Sequence, residues 1–218
     1  MAKLINQAIV LSLITIFYNI IEGTISIFFG AEDETLALFG FGVDSFVEVI
    51  SGIGIMHMVL RMKYAKVMER DSFEKAALRI TGSVFYLLTI GLLTGVVINY
   101  LNDVKPDTTL PGVIISSISI LTMYFLMKAK MKVGKALNSD AIIADANCTK
   151  TCFYLSFILL GSSLLYEIFS IQYFDLLGSI GIAYFAFSEG REAFEKVRTG
   201  NLACGCEDDH CETNKESA

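Results

Sequence analysis

The chain has 218 residues, of which 54% are hydrophobic and only 18% charged. An ordinary soluble domain carries about 25% charged residues. Here the apolar residues also cluster in long runs, which argues against a soluble globular fold and for a polytopic membrane protein. The net charge of −6 is segregated along the chain, so it identifies no partner, and no nucleic-acid role is expected.

About 20 apolar residues are needed for a helix to cross a bilayer. On that basis an all-α fold with six transmembrane helices is expected, near 4–29, 36–60, 80–101, 110–127, 141–167 and 174–190. The apolar runs are far longer than a barrel strand and do not alternate, so strands are not expected. The first run is too long for a signal peptide and lacks a small-residue cleavage site. It carries a polar spot, Tyr18, Asn19 and Glu22, which suits a proton site or a supporting role for a neighbouring helix.

The second span holds the most informative residues. Asp44 and Glu48 stand at i and i+4, on one face of a helix. Each costs about 2.5–3.5 kcal/mol at mid-membrane on insertion scales. No cation lies in the same span, although Lys150 of another helix could provide one. The pair therefore reads as the wall of an ion pathway. His57, between Met56 and Met58, falls at the cytoplasmic end of this span and reads as interface packing. Gly23, Gly40, Gly42, Gly52, Gly54 and Gly161 are of the size that lets helices approach closely.

Pro106 and Pro111 bracket the start of the fourth span and fit a turn. The fifth carries Asp145, Asn147 and Lys150 in its first half. Asp145, Cys148 and Cys152 follow at offsets of three and four, on one stripe of a helix. Carboxylate and thiolate are good ligands for Zn²⁺, four-coordinate at about 2.0–2.3 Å. The plainer alternative is that the cysteines are small buried hydrophobes. Glu167 and Asp175 near the outer mouth read as solvated loop acids.

Basic residues set the orientation. Arg61, Lys63, Lys66, Arg70, Lys75 and Arg79 lie between the second and third spans, Lys128, Lys130, Lys132 and Lys135 after the fourth, and Arg191, Lys196 and Arg198 after the sixth. The opposite loops hold only Lys105. The positive-inside rule then places both termini in the cytoplasm, which agrees with an even number of spans. Two regions result: a membrane domain over 1–200, and a polar tail over 201–218 that reads as disordered. The tail holds Cys204, Cys206, His210 and Cys211. In a reducing compartment these are not expected to form disulfides; their spacing matches no standard zinc motif, and it leaves metal capture and an incidental Cys-rich tail both open.

The run Asn19-Ile-Ile-Glu22-Gly23, followed by Gly40-Phe-Gly-Val-Asp44-Ser45-Phe-Val-Glu48-Val-Ile-Ser51-Gly52, resembles the first two helices of cation diffusion facilitator transporters. Ala144-Asp145-Ala-Asn-Cys148-Thr-Lys-Thr-Cys152 resembles their fifth helix. Ser188-Glu189-Gly190-Arg191-Glu192-Ala193 resembles the end of the sixth in a short branch of the group. The resemblance implies a dimeric six-helix exporter that exchanges a divalent metal for protons by alternating access. It would be an integral, multi-pass protein of a prokaryotic plasma membrane, with no enzymatic activity and no resident cofactor. Asp44 and Glu48 match the family's acidic pair on the second helix. Cys148 and Cys152 stand where the fifth helix has a His or Asp and an Asp. That departure favours softer ions, with Zn²⁺ the leading cargo and Cd²⁺, Fe²⁺ and Mn²⁺ open. The residues after 190 are too few for the family's soluble C-terminal domain, which is therefore not expected here, and a homodimer would be held by membrane helices.

Two other functions fit parts of the pattern. An intramembrane thiol oxidoreductase could use Cys148 and Cys152, but the usual C-x-x-C redox motif is absent and the acids would have no role. A metal-binding regulatory membrane protein that does not transport would use the same ligands.

Overall fold

A computed structural model of the protein describes residues 2–65, 72–137 and 139–199. The tail cysteines and His210 lie outside the described residues. Among the described residues there are six helices: α1 (Ala2–Glu32), α2 (Leu36–Ala65), α3 (Ser72–Leu101), α4 (Leu110–Leu137), α5 (Asp140–Phe169) and α6 (Tyr173–Thr199). No strand occurs among the described residues. Among the described residues, five helices are long and apolar enough to cross a membrane: Lys3–Glu32, Leu36–Arg61, Leu78–Leu101, Leu110–Leu137 and Asp145–Phe169. The surface agrees, with Phe17, Phe28, Leu87, Leu121 and Phe125 each at least 60% exposed. A soluble monomer rarely shows apolar patches beyond a few hundred Å².

The helices run past the apolar stretches that betray them. The fourth, expected to end near residue 127, continues through the basic segment to Leu137. Its buried residues include Ser116, Ser119, Met123, Leu126, Lys130 and Val133, one stripe at helical spacing. The fifth is continuous from Asp140 despite its polar first half. Among the six, α6 is the one outside the apolar set, because Asp175, Ser179 and Glu189 dilute it.

Helix α1 packs along α2, α4 along α5, and α3 along α6, while α2 also touches α3, α5 and α6. The main core lies between Leu38, Phe41 and Val47 of α2, Leu88 and Leu92 of α3, Leu155 and Leu159 of α5, and Ile182 of α6. A second core joins Met123 and Leu126 of α4 to Cys152 of α5. The α1–α2 hairpin is glycine-tight. A Cβ on Gly42 would stand 2.8 Å from the backbone nitrogen of Ile27, and one on Gly30 would stand 2.5 Å from that of Phe39. Gly161, expected at a close helix approach, instead faces open space.

The end of the bundle bearing the short turns is tied by hydrogen bonds. Asp107 N–H donates to Asp33 O at 3.0 Å, and Tyr166 O–H donates to Pro106 O. Glu167 and Asp175 are not solvated loop acids. Glu167 accepts from Thr109 N–H at 2.5 Å and from the Thr108 hydroxyl at 2.8 Å, capping the start of α4. Pro111 follows in the first turn, where no intrahelical N–H is needed. Asp175 is buried and accepts from Leu36 and Ala37 N–H at 3.1 and 3.2 Å. Its charge therefore sits on the positive end of α2. Asp175→Ala strips two backbone donors of their acceptor and should lower stability by about 1–2 kcal/mol, read as a lower Tm in detergent. Asp175→Asn keeps one acceptor and should lose less.

Candidate metal centre

Helix α2 carries Asp44 and Glu48 on one stripe with Ala37 and Phe41, which belong to the main core. Asp44 is buried and Glu48 half-buried. Across from them α5 presents Cys152, also buried. One carboxylate oxygen of each acid and the Cys152 Sγ all lie within 4.8 Å of one another. The Cys152 thiol donates to Glu48. Ligands about 2.0–2.3 Å from a tetrahedral ion stand roughly 3.3–3.8 Å apart, a spacing that falls inside the span of these three atoms. Glu48 lies at the middle of the apolar stretch Leu36–Arg61.

Helix α1 braces the pair. Asn19, fully buried, donates through Nδ2 to Glu48 Oε2 at 2.9 Å. Glu22 receives the Tyr18 hydroxyl at 2.9 Å and the Ser45 hydroxyl at 3.2 Å. Asn19 thus holds the Glu48 carboxylate, while Glu22 is held by the hydroxyls of Tyr18 and Ser45, the latter next to Asp44 in α2. Outer partners of this kind normally set ligand geometry.

The stripe of Asp145, Cys148 and Cys152 does not converge on one point. Only Cys152 joins the acids. Asp145 lies two turns away, about 10 Å along the helix from Cys152. There it receives Lys130 Nζ of α4 at 2.9 Å. Lys130 is 1% exposed and also donates to the Thr149 hydroxyl at 3.1 Å. The cation that meets the α5 acid is therefore Lys130, with Lys196 of α6 also buried and lining the same cavity, whereas Lys150 lies 5.7 Å from the ring centre of Tyr154. Cys148 is half-buried and lines this cavity of about 40 Å³ with Glu48, Ser51, Asp145 and Glu189. Such a space holds roughly one or two waters. Neither Cys148 nor Cys152 is in a disulfide. His57 is nine residues beyond Glu48, about 13 Å along α2, and is outside the cluster.

Two residues escaped the sequence reading. Lys130 looked like part of a basic loop, although the buried period of α4 extended by one turn would have pointed it inward. Glu189 of α6 is half-buried, lines the same cavity and accepts from the Thr151 hydroxyl at 3.0 Å. Its signal was an acid near the end of an apolar run. The chain matches no protein-family model and no curated protein.

The Lys130–Asp145 pair has side chains only 2% and 10% exposed. Removing one partner of such a pair typically costs about 3–5 kcal/mol, whereas replacing both with apolar groups is often neutral. Asp145→Ala should therefore lower the Tm sharply in detergent, and Lys130→Met/Asp145→Leu should recover most of the loss. If Asp145 instead served as a ligand, the double variant would fold but lose Cd²⁺ binding in calorimetry.

Proposed function

We propose that this chain is a divalent-cation transporter of the cation diffusion facilitator type, exporting a soft or borderline ion such as Zn²⁺ or Cd²⁺ in exchange for protons. The observation that carries this reading is the convergence of Asp44, Glu48 and Cys152 within 4.8 Å in the middle of an apolar helical bundle. Intramembrane acids are costly and usually functional, and a thiol added to two carboxylates is a ligand set rather than a packing solution.

Helix α6 is the sixth span in this proposal. Leu177, Ile180, Tyr184 and Phe187 are 42–70% exposed at offsets of three and four, a continuous stripe suited to lipid. Its opposite face, Leu176, Ile182, Ala183 and Ala186, is buried. Six spans place both termini on the side of the basic segments, the cytoplasm. A homodimer held by membrane helices and a prokaryotic plasma-membrane location belong to the same reading.

The cycle follows from the ligand chemistry. A cation reaches the centre through the cavity beside Glu48, Cys148 and Glu189. The Cys152 thiol must lose its proton, now shared with Glu48, before sulfur can ligate. Metal binding thus releases a proton, and discharge on the far side leaves anionic groups that take one back. Exchange of metal for protons results from two cations competing for the same atoms. Water fills the fourth position, or Cys148 does so as a thiolate after releasing a further proton. One thiolate in place of a harder ligand tilts selectivity toward soft ions.

The test is flux in reconstituted vesicles. Asp44→Ala should abolish Zn²⁺ and Cd²⁺ uptake while the protein still folds. Cys152→Ser should depress Cd²⁺ flux at least tenfold more than Mn²⁺ flux, with a smaller effect from Cys148→Ser. Metal binding without flux in the wild type would make the protein a sensor or regulator. Normal flux in both Asp44→Ala and Glu48→Ala would remove the site altogether.

A further inference from the structure

Away from the metal centre, the first third of α1 and the last third of α4 bound a groove of about 530 Å³. Its floor is apolar, with Leu4, Val10, Leu11 and Val133, and its rim carries Lys3 and Lys132. Both lysines are exposed. Lys128 and Lys135 stand four before and three after Lys132, on the same side of α4. Lys128 is folded back onto Tyr124, 4.3 Å from the ring centre. No acid occurs between residues 2 and 21 or between 110 and 137, so no side chain from either groove wall neutralises these lysines. An apolar trough closed at one end by lysines that no acid of its own walls offsets has the pattern of a lipid tail joined to an anionic headgroup.

We propose that this groove is a binding site for an anionic phospholipid, with an acyl chain along Val10 and Leu11 and the headgroup phosphate between Lys3 and Lys132. Charge favours a lipid over a second copy of the chain packed groove to groove: residues 2–21 and 110–137 hold no acid, so a second copy's walls would bring no counter-charge to the rim lysines, whereas a lipid phosphate does. The basic end of the bundle faces the cytoplasm by the positive-inside bias, and that leaflet carries the anionic lipids that attract juxtamembrane lysines. The site is independent of metal transport.

The chain contains no tryptophan, so Val10→Trp places a single fluorophore on the groove wall, where Val10 is 53% exposed. Ile114→Trp, at the far end of α4 and 60% exposed, reports ordinary bilayer lipid. Both are reconstituted in phosphatidylcholine containing a minor fraction of brominated phosphatidylglycerol or brominated phosphatidylcholine. The expected result is quenching at Val10→Trp by brominated phosphatidylglycerol at about tenfold lower mole fraction than by brominated phosphatidylcholine. No such preference is expected at Ile114→Trp, and Lys3→Gln/Lys132→Gln should abolish the preference at Val10→Trp. Equal quenching by the two lipids at Val10→Trp, or a preference that survives loss of both lysines, would overturn the proposal. Protection from both lipids would assign the groove to a second copy. Suppression of the preference by inorganic phosphate would assign the rim to free phosphate. Leu4→Trp replaces Val10→Trp if that variant fails to insert.

Discussion

One constraint shapes this bundle: a carboxylate in an apolar interior is costly unless it finds partners inside the protein. The acids obey it in different ways. Asp175 and Glu167 take backbone N–H groups at helix starts. Asp145 takes an ammonium, Glu189 a hydroxyl, and Glu22 two hydroxyls. Glu48 takes an amide and a thiol. The helix arrangement that satisfies this set brings α2 against α1, α5 and α6 at once.

The partners divide the acids into those that hold and those that exchange. A backbone N–H at a helix start cannot leave without unravelling the turn, so Asp175 and Glu167 act as fixed joints. An ammonium on a buried lysine is nearly as fixed, because its own desolvation is relieved only by staying paired. A thiol proton is different, since a metal ion can replace it at the same atoms. Among the acids described, Glu48 is the one that receives such a proton, and it stands with Asp44 at the centre of the most highly connected helix.

Packing gives the centre its rigidity. The α1–α2 hairpin is closed by Gly30 and Gly42, where any Cβ would meet backbone, so Asn19 and Glu22 are presented to α2 at a fixed distance. On the other side Ser156 of α5 donates to Ser119 of α4 at 2.9 Å, one turn beyond Cys152. The ligands therefore come from two rigid helix pairs, α1–α2 and α4–α5. In the transport reading, a relative movement of the two pairs would change the spacing between the acids and the thiol, and hence the affinity for metal.

The sequence by itself determined the helical class, the approximate place of every helix, and the acidic pair, because length, hydropathy and i, i+4 spacing are local properties of one segment. It also named both cysteines and the polar spot on α1. Only the tertiary structure separated Cys152 from Cys148 and Asp145. Those three share one stripe of one helix, and their different fates depend on what faces them: α2 opposite Cys152, and Lys130 of α4 opposite Asp145. The true helix ends were hidden because charged residues stop an apolar run without stopping a helix. Asp175 and Glu167 looked solvated because the N–H groups they cap are 139 and 58 residues away in the chain. Pairing across such separations is decided by where the helices pack, and no local pattern records it.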